Sequence, residues 1–555
     1  MKTYLPVLLT LGLLITACAQ SGPQPDAGAD DEQTAEQHIL MAELAVQQHD
    51  FAEAARQYAL ALDQSDDPDL AARAAPMVFD YGSYDEALNA ARRWIKLDPD
   101  AVPPRRQLAS LYLQRNRVGK AMPELEWLYQ LVSKETDQGF VALLPVLTEN
   151  GNQVAGYQAM QRLARDHDDD ATAHYALAFM ALGRGDLETA LAGSDRALAL
   201  RPDWDEAAVL RARAMMTDGR AEEAMDSLRD WPDFRENPRL RLEFAILQLA
   251  ADRVEEARLE LELLLADYPR LPGALRTLGL LEFQSGNYEL AERYLIELIG
   301  TGRYVNDAMF YLGSIAEIEK DLDGAASFYA RVSSGDNLAA ARVRLALILY
   351  RLGDPENALR SLELVPGMDR ASSLQIIGAR GELLMRMERY EEALAMYNQE
   401  LDRHPDEQSL RYSRAFLYDR MGRLDDALDE LRKLLKENPD DPIAMNALGY
   451  TLADRTTDYD EAYQYIAAAL ERSPDSPAII DSMGWVQYRM GNLEEAERYL
   501  RRAWTLDGDP EIAAHLGEVL WVMGDKEAAE EIWFDALSEN PDSRILQEVI
   551  NRLQQ

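Results

Sequence analysis

Six histidines and one cysteine carry most of the chemistry available to this 555-residue sequence: His38, His49, His167, His174, His404, His515 and Cys18. Two imidazoles can hold zinc from one helix face when they stand four apart with a glutamate between them, and no pair here does. A single thiol leaves no thiolate zinc site. His167 and His174 flank Asp168–Asp170, a cluster that reads as a solvated acidic turn rather than a metal site. No Gly-x-Ser-x-Gly elbow and no Gly-rich phosphate cradle is present. Arg184-Gly185-Asp186 reads as a turn between helices. The many Asp and Glu pairs fall where helices start, and there they suit the positive end of the helix dipole. No catalytic constellation emerges. The expectation is a protein that is not an enzyme, with no cofactor, no metal and no small-molecule substrate.

Cys18 is different, because its position gives it a role. A short basic start is followed by an apolar run from Leu5 to Ile15. About eleven such residues are too few to cross a bilayer, which needs roughly 17 to 25. The run therefore reads as an export signal over residues 1–17. It ends in Ile15-Thr16-Ala17-Cys18, which resembles the bacterial lipobox. That resemblance implies cleavage before Cys18 and a diacylglyceryl group on its thiol. Ala17-Cys18-Ala19 also fits ordinary cleavage after Ala19, which would release a soluble protein. Cys18 is the only cysteine in the chain, and it stands at the one position where lipidation needs it. Several acyl chains anchor stably where one would be marginal. Residues 18–34 are polar, acidic and rich in Gly and Pro, and read as a disordered tether with a reach of roughly 20 Å. By resemblance to Gram-negative lipoproteins, Ala19 in place of Asp after the cysteine implies the outer membrane, facing the periplasm. With no second cysteine there is no disulfide to place.

The elements behind these residues follow a repeat. Gly286-Asn-Tyr-Glu-Leu-Ala-Glu292, Gly422-Arg-Leu-Asp-Asp-Ala-Leu428 and Gly491-Asn-Leu-Glu-Glu-Ala-Glu497 are versions of one pattern. Its central alanine recurs at Ala190, Ala224, Ala257, Ala291, Ala325, Ala358, Ala393, Ala427, Ala462 and Ala496, steps of about 34 residues. A second small residue precedes it in nearly every unit, as at Ala178, Gly279, Gly313, Gly381, Ala415, Gly484 and Gly517. Each unit then reads as two antiparallel helices that cross closely at the small residues, where a large side chain would force them apart. Proline closes the unit at Pro99, Pro202, Pro269, Pro405, Pro439, Pro474 and Pro541, because it cannot continue a helix. The gap between Ala121 and Ala190 holds one degenerate unit centred near Gly156.

On these markers the chain resembles the tetratricopeptide-repeat (TPR) family over nearly all of its mature length. The resemblance implies an all-α solenoid, a right-handed superhelix of antiparallel helix pairs with about fifteen repeats including degenerate ones. The expected organisation is partly degenerate repeats over 35–170, a regular superhelix over 171–541 and a capping helix over 542–555. A solenoid has no single large core, because each unit packs only on its neighbours.

The formal net charge of −41 has the wrong sign for phosphate contacts, so nucleic acid is not an expected partner. Polybasic membrane-surface helices are also lacking. Solubility of an elongated surface explains the acidity, and steering of a basic partner is the alternative.

In the TPR family the first helix of each pair lines a groove, with residues three before, one after and four after the small marker pointing in. Carried onto the last third of this chain, that offset selects Tyr412, Phe416, Asp419, Asn446, Tyr450, Asp481, Trp485, Tyr488 and Trp521. Large aromatics and Asn suit the anchoring of extended peptides. The same aromatics also fill helix crossings, so both groove and core positions stand open for them. The Lys and Arg that clamp a C-terminal carboxylate in chaperone-type TPR grooves are missing.

The stretches Asn446–Arg455 and Asp481–Gly491, with the lipobox and the repeat number, resemble a group of Gram-negative outer-membrane TPR lipoproteins. One type of member is the adaptor of a periplasmic C-terminal processing protease and brings peptidoglycan hydrolases to it. The resemblance implies such a protein-binding adaptor. The alternatives are a structural component of an envelope assembly or secretion machine, and an activator of peptidoglycan synthesis.

Overall fold

A computed structural model describes residues 34–48, 50–149, 151–365, 368–541 and 543–554. Cys18, the signal and nearly all of the tether lie outside the described residues. Among the described residues the chain forms 31 α-helices and one short 3₁₀ helix, with no strand. Successive helices pack as antiparallel pairs, which is the all-α solenoid arrangement expected from the period. The chain divides into two compact units, Met1–Tyr268 and Pro269–Gln555. No helix among the described residues is long and apolar enough to cross a membrane.

Local chemistry sets the helix ends. Proline occupies the first turn of Pro238–Ala250, Pro272–Gln284, Pro442–Arg455, Pro477–Arg489 and Pro510–Met523, where its missing N–H is not needed. Ser83 and Glu86 form a reciprocal capping box at the start of Tyr84–Leu97. Several second helices use another device, an arginine N-cap paired with the acid of the first turn. Arg389 meets Glu392 at 2.6 Å and Arg423 meets Asp426 at 2.7 Å. The punctuating prolines fall in the connections, as Pro439 does between Leu424–Glu437 and Pro442–Arg455. The turns within pairs need a left-handed residue: Gly491 takes φ 86°. Lys320 and Glu388 hold the same kind of turn at φ 65° and 58° without that freedom.

The small markers do what their spacing implies, with one refinement. A Cβ added at Gly484 would sit 2.5 Å from Leu500 Cγ, and one at Gly449 would sit 2.6 Å from Ile466. At Gly313 it would meet Tyr329, and at Gly517 it would meet Trp533. The missing side chain therefore makes room for a large residue on the second helix as well as for backbone. Tyr329 and Trp533 are among the largest fully buried side chains of the described residues.

A polar tie also recurs between the helices of a pair. Arg105–Glu124, Arg241–Glu260 and Arg411–Glu430 are each nineteen residues apart, at 2.9, 2.7 and 2.7 Å. His38 and Gln57 keep the same spacing at 2.7 Å. Arg411 and Glu430 are both buried, and Arg414 completes Glu430 at 2.8 Å. A buried pair with its remaining sites filled fixes helix register more than it adds stability.

The first unit contains the degenerate repeat. Leu144 stands where a small residue is needed, twelve before Gly156, and Pro145 follows it. The first helix of this unit is irregular: a 3₁₀ turn, Gly139–Leu143, and a five-residue helix, Leu144–Thr148, take the place of a regular one. Phe140 is 0% exposed and stacks on Tyr129 with ring centroids 3.9 Å apart. The acidic turn itself is solvated as expected, with Asp168 and Asp169 exposed, while the two histidines that flank it are packed. His167 lies against Tyr129 and Phe140 and bonds Glu126 at 2.9 Å, while buried His174 bonds the Asp168 carbonyl at 3.0 Å.

Candidate functional site

Four first helices of the second unit, Gln408–Arg420, Pro442–Arg455, Pro477–Arg489 and Pro510–Met523, converge on one cavity of about 520 Å³. Six of the nine residues that sequence spacing selects line it: Tyr412, Phe416, Asp419, Asn446, Tyr450 and Asp481. The other three lie elsewhere. Trp485 is 7% exposed and sits behind the wall, its indole stacked on the His515 ring at 4.2 Å. Its Nε1–H donates to Asp454 at 3.2 Å. Tyr488 is half-buried and donates to Glu518 at 3.2 Å, and Trp521 packs against Trp533 at 5.7 Å. An indole or phenol has an apolar body and one polar tip, so it satisfies a helix crossing as readily as a groove.

The side chains that sequence spacing missed follow a rule. Ile443, Ala478 and Glu511 line the cavity six positions before Gly449, Gly484 and Gly517. That is one helical turn before the position three ahead of the marker, so the inward face simply extends further along each helix. His515 carries no such signal. Its role depends on contacts reaching one and two repeats back along the chain.

Those contacts organise the floor. His515 Nδ1 lies 2.9 Å from Asp481 Oδ2, and both side chains are 7% exposed. Tyr450 reaches across two repeats, donating its hydroxyl to Glu511 at 3.1 Å with His515 Nε2 at 3.5 Å. Burial alone would lower the His515 pKa. The Asp481 carboxylate, with Glu511 and Glu518 behind it, outweighs burial, and the net direction is up. Burial raises the Tyr450 phenol well above its ordinary value, and Glu511, Asp454 and Asp481 add to it. A phenol held neutral in this way is a hydrogen-bond donor and not a nucleophile. Ser482, the hydroxyl on the same wall, is spent on the Ala478 carbonyl at 2.9 Å. Tyr412 likewise donates to Asp441 at 2.5 Å, and Asp441 caps the next first helix. Among the described residues no group of three or more His, Cys, Asp or Glu could hold a metal ion.

The charge is one-sided. Asp419, Asp454, Asp481, Asp507, Asp509 and Glu511 face the cavity, against Arg455 as its only lining guanidinium. Arg455 is engaged with Asp419 at 2.6 Å. At the other extreme of polarity, Phe416 and Ile443 stay 53% and 63% exposed.

Comparison with known proteins points one way. Family models described as tetratricopeptide repeat match residues 171–192, 276–337, 339–363, 379–420, 412–477 and 456–514. A TPR repeat-containing protein of Pseudomonas aeruginosa is 30% identical over 485 residues, covering 86% of this chain and 81% of that protein. Among solved structures, a tetratricopeptide repeat protein from Parabacteroides merdae is 18% identical with a TM-score of 0.35, covering 45% of this chain and 99% of its own. Yeast Tom70 is 15% identical with a TM-score of 0.29, covering 94% of this chain and 95% of its own.

Proposed function

The chain belongs to the tetratricopeptide-repeat family, and from that premise we propose a protein-binding adaptor tethered through Cys18 to the periplasmic side of an outer membrane. The adaptor brings cell-wall hydrolases to a C-terminal processing protease and cleaves nothing itself. The observation that carries the reading is the cavity of the second unit. It is a concave site with exposed apolar side chains, convergent polar groups and no activated nucleophile, which suits holding a polypeptide rather than transforming it. The tether reading rests on the sequence around Cys18 and on its being the only cysteine.

Two measurements test this. Purified protein added to the cognate protease and a peptidoglycan hydrolase accelerates loss of the hydrolase, and an unchanged degradation rate contradicts the adaptor role. Cys18→Ser moves the protein from the membrane fraction to the soluble fraction, and an unchanged distribution contradicts the lipid tether.

A further inference from the structure

We propose that the cavity of the second unit takes a cationic segment of a partner protein, with an apolar side chain on Phe416 and Ile443 and a Lys or Arg among Asp507, Asp509 and Glu511. This deepens the adaptor reading and rests on it, because it names the chemistry of what the adaptor holds.

The argument begins with which charges are already answered. Asp419 is paired with Arg455, Asp454 with Arg489 and Asp481 with His515. Asp507, Asp509 and Glu511 have no ion-pair partner among the described residues. Asp509 caps its helix by accepting from the Glu511 N–H at 2.7 Å, and Glu511 accepts from Tyr450. These hydrogen bonds bring no Lys or Arg to the three carboxylates, although Glu511 also acts on the buried His515.

An anionic segment would meet Arg420, whose guanidinium lies over the Phe416 ring at 5.4 Å, but would face the three carboxylates at the other end of the cavity. The Arg455 guanidinium is held by both carboxylate oxygens of Asp419, at 2.6 and 3.1 Å. His515 is buried beneath the floor and committed to Asp481. A neutral apolar segment would cover Phe416 and Ile443 but would desolvate three carboxylates without recompense. A cation beside an apolar side chain satisfies both ends of the cavity. The surrounding charge of −41 acts in the same direction, drawing cationic segments in and repelling nucleic acid and anionic lipid surfaces. The cavity admits a few side chains of an extended segment and not a folded domain.

The test is calorimetric titration of the purified full-length protein with three short synthetic peptides of equal length. The first alternates Lys/Arg with Leu/Phe, the second alternates Lys/Arg with Ser, and the third alternates Asp/Glu with Leu/Phe. The first is expected to bind with an affinity that falls steeply as salt rises, the second more weakly, and the third not at all. The triple variant Asp507→Asn, Asp509→Asn, Glu511→Gln keeps shape and helix cap, since Asn caps as well as Asp. It is expected to weaken the first peptide by about tenfold or more, where tenfold is about 1.4 kcal/mol. Phe416→Ser is expected to weaken the same peptide and keep the salt dependence. Equal binding of the anionic peptide, or wild-type affinity in the triple variant, overturns the charge assignment while leaving the cavity a binding site. If no peptide binds and Phe416→Ser leaves hydrolase degradation unchanged, the adaptor reading of this cavity falls as well.

Discussion

The degenerate repeat of the first unit and the groove of the second are made from the same kinds of side chain, and they end in opposite states. Around Phe140 an aromatic pair, a histidine and several acids close on one another. Tyr129 donates to Asp170 at 2.8 Å, His167 bonds Glu126, and the Phe140 N–H donates to Thr172 at 3.0 Å. In the groove, aromatics, a histidine and acids leave two apolar side chains and three carboxylates facing outward. The two regions differ in how their first helices are built. Gly449 and Gly484 let regular first helices seat against their partners, which leaves one helical face free to line a cavity. In the degenerate repeat a 3₁₀ turn and a five-residue helix stand in the first-helix position, and Phe140 is buried against Tyr129 there. Composition does not decide between a core and a site; helix approach does.

The comparison can be broken from its strongest side first. Phe140→Ala should destabilise the first unit by about 3–5 kcal/mol, the usual loss for a buried aromatic. Denaturant unfolding monitored with peptide binding separates the effects: stability falls and cationic-peptide affinity stays. Asp481→Asn should cost about 3–5 kcal/mol, because it leaves His515 buried without its counter-charge. Double substitution with His515→Gln should recover part of that loss, and failure to recover any would mean that the pair does not act as a unit.

Gly484→Leu sharpens the role of the small markers. Forcing a side chain against Leu500 should cost about 1–3 kcal/mol through overpacking. Gly484→Leu with Leu500→Ala should lose less than Gly484→Leu alone, as read by thermal melting. The smallest effect is pH-dependent. Because the folded pKa of His515 is raised above its unfolded value near 6.5, its stabilising contribution is fully present below that value and fades as pH rises through the folded one. Melting temperature should therefore decline across that window more in the wild type than in His515→Gln. Equal declines would remove the His515–Asp481 pair from the account.

Much of the fold was legible in the sequence because repetition multiplies weak signals. Small residues at fixed spacing and prolines in the connections locate nearly every helix pair, and the break near Gly156 shows where the pattern fails. The form of that failure was not legible: spacing says that the pattern breaks and not what replaces it. In the groove, the marker offset finds the residues near the crossing, while Ile443 and Glu511 lie one turn earlier on the same face. Trp485 read equally as groove or core, since its indole needs only one polar partner, and the cavity-lining Asp454 supplies it. His515 was invisible because its partners Asp481 and Tyr450 are one and two repeats away. The Cys18 reading falls on residues outside those described.

The most direct measurement places a photo-crosslinking residue at one of two exposed positions of the second unit in intact cells: Ile443 in the groove, or Phe534, 73% exposed on the helix Lys526–Glu539 and not among the groove-lining residues. The account predicts a discrete crosslinked protein partner from Ile443 that disappears in the Asp507→Asn, Asp509→Asn, Glu511→Gln background, and none from Phe534. Crosslinking from Phe534 with none from Ile443 would contradict it.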